Sequence, residues 1–131
     1  MTKSDYINYW KVTAEEDWEV MKILFEKKKY LQSLFFGHLV LEKLLKAHWV
    51  KDNLSDLPPK THNLIRLSSQ TQLELSEDEI DFFDTMTGYQ MEGRYPDYQL
   101  KVHLNLKKPK VEELLKEINR IRTWLNNQLD K

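Results

Sequence analysis

The sequence contains no cysteine, which excludes disulfides, thiolate nucleophiles and sulfur-ligated zinc. It also lacks an excess of charge of one sign: 20 Lys and Arg residues face 21 Asp and Glu, for a formal net charge of −1. The total charge therefore does not favour a nucleic-acid or membrane surface. No apolar run approaches the roughly 20 residues that span a bilayer, and the start, MTKSDYINYWK, has no apolar centre typical of a signal peptide. We expect a soluble, cytoplasmic protein without contact to a membrane.

Glycine and proline are scarce as well, with three and four residues in a chain of 131. Between them, apolar residues recur at steps of three and four, which is typical of helices with one buried face. No alternation typical of a strand persists. The length suits a single domain, and 40% hydrophobic residues can form its core. We predict one domain over residues 1–131 with an all-α fold, an up-and-down helical bundle of four to five helices.

Capping signals and helix breakers set the expected boundaries. The first predicted helix runs from Ser4 to about Lys28, or begins instead at the capping box of Thr13. The second runs from about Tyr30 to Lys51. The others begin at a cap at Thr61, at a capping box at Ser76 and after Pro109. Gly88, Gly93 and Pro96 interrupt the helical pattern. Residues 88–106 are therefore predicted to be irregular and partly a loop.

The second helix contains the stretch GHLVLEKLLKAHWV, residues 37–50, which is apolar on two sides yet carries Glu42, Lys43 and Lys46. A helix that is apolar nearly all round is central in its fold or contributes to an interface. We therefore predict that this helix packs against its own bundle and against a second partner, for which a homodimer is the simplest choice.

The ionisable groups of this helix have ordinary interpretations as well. A lysine such as Lys46, at the border of an apolar face, usually covers its neighbours with its stem while its ammonium group is solvated. His38 fits a hydrogen-bonded core residue better than a metal ligand, and His48 falls near the helix end, where it can be exposed. No two histidines share a short spacing with a carboxylate. We expect no metal site and no cofactor.

One stretch outside the predicted helices, MEGRYPDYQLKVH over residues 91–103, has the composition of a binding loop. Gly93 permits unusual backbone angles and Pro96 stiffens the chain, so Arg94 between them can be held in a fixed direction. An arginine fork beside aromatic rings suits a phosphate, a carboxylate or a nucleobase. Alternatively, Arg94 ties the loop to Glu42 or Asp17 as a structural ion pair.

Four features, in this order along the chain, resemble the HEPN family, named for higher eukaryotes and prokaryotes nucleotide-binding. They are the Asp17-Trp18 pair, LEKLLKAHWV, THNLIRL and GRYPDY, and the resemblance extends from about Trp10 to Leu125. It implies an up-and-down helical bundle, often dimeric, with a groove lined by polar residues. The ligand-binding residues that it implies are Glu42, Lys43, Lys46, His62, Arg94, Tyr95 and Tyr98.

The resemblance implies a nucleotide-binding module that acts beside a small nucleotidyltransferase, often as a two-gene toxin–antitoxin pair. In this hypothesis Arg94 and Lys46 contact a phosphate, a tyrosine stacks on the base, and Glu42 holds Arg94. Such a module needs an open concave surface at these residues.

Two other functions stay open. Some HEPN proteins are metal-independent ribonucleases with an Arg followed, after four to six residues, by a His. Here eight residues separate Arg94 from His103, and in that hypothesis RNA is the substrate, His103 the general base and Arg94 the stabiliser of the transition state. In a purely structural hypothesis, the polar groups form a satisfied buried network closed off from solvent, and exposed apolar faces bind another protein.

Overall fold

A computed structural model describes the backbone of residues 1–94 and 106–131 and the side chains of residues 1–90 and 106–131. Within these ranges the chain forms helices and no strand. The helices are α1 (Lys3–Glu26), α2 (Tyr30–Asp52), α3 (Leu64–Ser69), α4 (Glu77–Arg94) and α5 (Lys108–Leu129). The predicted all-α bundle is confirmed.

The long first helix begins at its earliest capping signal. Thr2 is the N-cap: its hydroxyl accepts from the backbone N–H of Asp5 at 3.1 Å, and the Asp5 carboxylate accepts from the Thr2 N–H at 2.9 Å. The alternative start at Thr13 is wrong, because that hydroxyl donates to the Tyr9 carbonyl within the helix, at 2.9 Å. A side chain bonded to the preceding turn cannot cap a new helix.

The turn between α1 and α2 reverses the chain within three residues. Lys28 has a φ of 61°, the left-handed conformation that commonly ends a helix. The N–H of Lys29 donates to the Leu24 carbonyl at 2.8 Å and the N–H of Lys28 to the Phe25 carbonyl at 3.0 Å. These two bonds form a Schellman motif, which closes α1 and lets α2 return beside it.

Two of the remaining boundaries differ from the prediction. Asn63, not Thr61, is the N-cap of α3, since its side chain accepts from the Arg66 N–H at 3.1 Å. The prediction that residues 88–106 are irregular is wrong for residues 88–94, because α4 continues to Arg94. A single glycine costs a helix only about 1 kcal/mol relative to alanine, and α4 is anchored by its buried side chains on either side of Gly88.

Helix α2 is the centre of the molecule and contacts each of the other four helices. Its fully buried apolar residues are Leu31, Leu34, Val40, Leu41, Leu44, Leu45, Ala47 and Val50. Gly37 allows α5 to come close, since a Cβ there would lie 2.7 Å from the Ile118 Cδ1. Most apolar side chains of α2 are thus covered by its own chain, while Phe36 and Leu39 are half-buried. The homodimer through this helix stays a prediction.

Lys3 fastens the start of α1 to the end of α2. Its ammonium group donates to the carbonyls of Val50 at 2.8 Å and Asn53 at 2.9 Å, and to the Asp56 carboxylate at 2.7 Å. A cation at the carboxyl end of a helix is favourable because it satisfies the last carbonyls and faces the negative end of the helix dipole. None of the described helices is long and apolar enough to cross a membrane.

Candidate functional site

A buried carboxylate on α2 holds the polar residues of the candidate site together. Glu42 Oε2 accepts from Lys46 Nζ at 3.1 Å, and Glu42 Oε1 lies 2.9 Å from His62 Nδ1. His38, one helical turn earlier, places its Nδ1 3.8 Å from the same Oε1. Side chains four residues apart on a helix share a face, so the order of His38, Glu42 and Lys46 along α2 brings them together. We call these four residues the Glu42 cluster.

The members of the Glu42 cluster differ in their access to solvent. The side chains of Glu42 and Lys46 are only 5% and 11% exposed, whereas that of His62 is 46% exposed. His38 is fully buried. The lysine ammonium lies 5.3 Å from the ring centroid of Trp10, within cation–π range. The interpretation that the Lys46 ammonium is solvated is therefore wrong, and His62 is the member through which the cluster reaches the surface.

The backbone on either side of His62 is held by short local bonds. The Thr61 N–H donates to the Pro59 carbonyl at 2.9 Å, and the Thr61 hydroxyl accepts from the Asn63 N–H at 3.1 Å. Asn63 then caps α3. Because an ionised carboxylate only accepts hydrogen bonds, the Nδ1 that faces Glu42 carries a hydrogen, which fixes the orientation of the His62 ring.

Lys43 belongs to a different ion pair, toward α1. Its Nζ lies 2.7 Å from Asp17 Oδ2, and both side chains are mostly buried. The two groups are at ion-pair distance although the angles do not suit a hydrogen bond. Lys43 and Lys46 are thus each neutralised by a carboxylate of the same chain, as the structural hypothesis expects. This is evidence against direct phosphate contact by either lysine.

Other predicted site residues lie at or beyond the end of α4. Arg94 is the last residue of this helix, four residues after the buried Gln90, so the predicted non-helical stretch does not begin at Met91. The side chain of Arg94 lies outside the described residues, as do Tyr95, Tyr98 and His103. The contact of Glu42 with Arg94 and the meeting of Arg94 with His103 therefore stay predictions.

The third described histidine, His48, has a structural environment. His48 is buried near the end of α2, and its Nε2 lies 2.8 Å from the Leu125 carbonyl. Burial lowers the pKa of His48, and the hydrogen bond to Leu125 opposes that shift. A neighbouring cavity of about 420 Å³ contains none of the predicted ligand residues; it is lined by His48, Lys51, Asp52, Gln72, Leu73, Glu74, Trp124, Gln128 and Lys131.

The sequence did not indicate that Trp10 and Asp17 would contact the lysines of α2. Trp10 lies in the apolar stripe of α1, where it cannot be told from a core residue. The contacts of both residues are long-range, and only the chain reversal between α1 and α2 creates them. Among the described residues, no group of three or more acidic or histidine side chains is placed to hold a metal ion.

Comparison with known proteins bears on the function of this site. No curated protein and no solved structure matches the chain. The family model of the HEPN domain matches residues 7–128, which is nearly the whole chain and extends from within α1 to within α5. The chain belongs to the HEPN domain family, a helical module of the nucleotide-binding and ribonuclease type.

Proposed function

We propose that this HEPN module binds the phosphate of a nucleotide at the surface onto which His62 opens. The observation that carries the proposal is the bond between the exposed His62 ring and the buried Glu42 carboxylate. A fixed imidazole at a protein surface is suited to contact an anion, because little side-chain freedom is lost when the anion binds. The module acts beside a small nucleotidyltransferase, as one half of a toxin–antitoxin-like pair.

The charges of the Glu42 cluster explain how an anion is bound there. Glu42 and Lys46 neutralise each other in the interior, so the two charges together neither attract nor repel a phosphate strongly. An imidazolium ring has two N–H donors, so one can donate to a carboxylate while the other donates to a phosphate, and both hydrogen bonds are charge-assisted.

The roles that follow differ in part from those implied by the resemblance. His62 contacts phosphate directly, and Lys46 acts indirectly, by holding Glu42 in place under the His62 ring. Arg94 supplies the second phosphate contact from the end of α4, and Tyr95 or Tyr98 stacks on the base. Lys43 positions α1 against α2 through its ion pair with Asp17.

Titration calorimetry of ATP and other nucleotides into the purified protein tests this proposal. We expect saturable binding that is lost in His62→Ala and in Arg94→Ala. Lys116→Ala, which removes an exposed cation on α5, is the matched control and should bind normally. Absence of binding at millimolar nucleotide, or full affinity in His62→Ala, would contradict the proposal.

A metal-independent ribonuclease is the second candidate function, and the same bond between His62 and Glu42 supports it. A histidine oriented by a carboxylate at Nδ1 has the geometry of a general base. His62 is therefore a candidate base in addition to the predicted His103. RNA cleavage in the presence of a chelator separates them: activity lost in His62→Ala but kept in His103→Ala assigns the base to His62, and the reverse result assigns it to His103.

A further inference from the structure

The cavity of about 420 Å³ beside His48 lies apart from the Glu42 cluster, between the ends of two helices. The end of α2 and the end of α5 form two of its sides, and the connection from α3 to α4 forms the third. Its volume is within the range of about 300–1,000 Å³ that is typical of small-molecule sites in proteins. No residue of the Glu42 cluster lines it, so it is a separate place that is large enough for a small ligand.

His48 gives this cavity a hydrogen-bond acceptor. Its Nε2 lies 2.8 Å from the Leu125 carbonyl oxygen, which only accepts, so Nε2 carries the ring hydrogen. Burial lowers the pKa of His48, so near neutral pH the ring is uncharged and Nδ1 has a lone pair. Among the described residues none hydrogen-bonds to Nδ1, and this atom is not closed off from the cavity. A ligand should therefore donate an N–H or an O–H to Nδ1.

Charged residues of both signs surround this acceptor. Two lysines and two carboxylates line the cavity, namely Lys51, Lys131, Asp52 and Glu74. A ligand with a net charge would be repelled by one of these pairs, and an uncharged ligand would displace water from the charged groups without replacing it. A zwitterion avoids both costs, because it brings a charge of each sign.

The other sides of the cavity fix one carboxylate and add apolar surface. Asp52 Oδ2 accepts from the backbone N–H of Gln72 at 2.8 Å, so the connection between α3 and α4 holds this carboxylate in place. Trp124 and Leu73 are partly buried against the core and supply apolar surface. Groups suited to an ammonium, a carboxylate and an apolar side chain thus border one cavity.

We propose that this cavity binds a free amino acid with an apolar side chain, in its zwitterionic form. The ligand ammonium donates to His48 Nδ1 and to the Asp52 carboxylate, and the ligand carboxylate lies beside Lys51. The apolar side chain packs on Trp124. The proposal does not rest on nucleotide binding, because the Glu42 cluster lies outside this cavity.

An NMR titration of the imidazole resonances with L-phenylalanine, L-leucine and L-methionine tests this proposal. We expect the His48 signals to move saturably, with a dissociation constant in the millimolar range, while those of His62 stay fixed. Two analogues of phenylalanine separate the contributions of its charges. Phenethylamine lacks the carboxylate and phenylpropionate lacks the ammonium, so each should bind at least about tenfold more weakly.

A variant at the exposed rim tests the site without a change at His48. Lys51→Met removes the cation beside the ligand carboxylate and should weaken binding by at least about fivefold. Lys27→Met, which removes an exposed lysine just after α1, is the matched control and should bind normally. Thermal unfolding of Lys51→Met should match the parent, which separates loss of binding from loss of folding.

Three results would overturn the proposal. The first is that none of the three amino acids moves the His48 signals saturably at millimolar concentration. The second is that phenethylamine or phenylpropionate binds as tightly as phenylalanine, which would show that a zwitterion is not required. The third is full affinity in Lys51→Met.

Discussion

Helices α1 and α2 both carry apolar side chains on more than one side, but the rest of the chain covers those of α2 more completely. Four other helices contact α2, whereas Tyr9, Val12, Val20 and Ile23 of α1 are between 37% and 56% exposed. The two helices look alike in sequence, since each combines an apolar face with further apolar residues. Apolar residues on several sides of a helix indicate that several other elements should pack against it. Only the fold shows which helix has those elements packed against it.

Charged residues show the same contrast between the two helices. Glu42 and Lys46 of α2 are buried and paired with each other, whereas Glu16 of α1 is exposed. Substitutions of charged residues in α2 should therefore change the free energy of unfolding. Substitutions of exposed charged residues of α1 such as Glu16 should leave the free energy of unfolding nearly unchanged.

The largest effect on the free energy of unfolding is expected from Glu42→Ala. This change leaves the Lys46 ammonium buried without its carboxylate and removes the hydrogen-bond acceptor of His62. Breaking a buried ion pair from one side typically costs about 3–5 kcal/mol of stability. Urea denaturation should show this loss, whereas Glu16→Ala on the outer side of α1 should stay within about 0.5 kcal/mol of the parent. Equal stability of the two variants would show that the Glu42 cluster does not stabilise the fold.

Removal of both charges should cost less than removal of one. In the double variant E42L/K46M no unpaired charge is left, and apolar side chains of similar size fill the space. We expect it to be more stable than Glu42→Leu alone by about 1–3 kcal/mol. A double-mutant cycle in urea measures this coupling. Additive effects of the two single changes would argue against a direct interaction between Glu42 and Lys46.

Removal of the Lys3 ammonium group, which links the start of α1 to the end of α2, should have an intermediate effect on stability. Lys3→Ala removes an ammonium group that donates to Val50, Asn53 and Asp56 at the end of α2. We expect a loss of about 1–2 kcal/mol, because hydrogen bonds from a charged group are replaced by water. Lys3→Met keeps most of the side-chain length but cannot donate a hydrogen bond, so it should lose as much stability as Lys3→Ala. If Lys3→Met were as stable as the parent, the hydrogen bonds would not be the cause.

The smallest effect is a dependence of stability on pH. Burial lowers the pKa of His48 in the folded protein, so the unfolded chain binds more protons as the pH falls through the ordinary histidine range of about 6.5. Stability should therefore increase with pH between about pH 5 and pH 7, by at most about 1.4 kcal/mol per pH unit for one proton. His48→Gln should flatten this part of the profile, while an unchanged slope would exclude His48 as the cause.

Local signals in the sequence were sufficient for most of the fold. Apolar spacing predicted α2 from Tyr30 to Lys51, and the helix ends at Asp52. The Ser76 capping box is present, since Ser76 and Glu79 exchange bonds at 2.9 and 3.2 Å. The misplaced cap at Thr61 shows the limit of such signals. Thr61 and Asn63 are both suitable caps, and the register of α3 against the core decides between them.

The site was less predictable because its contacts join distant parts of the chain. The pairing of Glu42 with Lys46 follows from their spacing on one helix. The bond from His62 depends on the path of the connection between α2 and α3, and the ion pair of Lys43 depends on where Asp17 of α1 lies. Motif order identified the family but could not show that His62 would be the exposed member and Lys46 a buried one.

The most direct test of the central claim, that His62 held by Glu42 contacts the nucleotide, is an NMR titration of the imidazole resonances. The chain has four histidines, and loss of one set of signals in His62→Gln assigns those of His62. Addition of ATP should shift the His62 signals saturably and leave those of His48, buried against α5, unchanged. His62 signals that stay fixed at millimolar ATP, or that move no more than those of His48, would contradict the account.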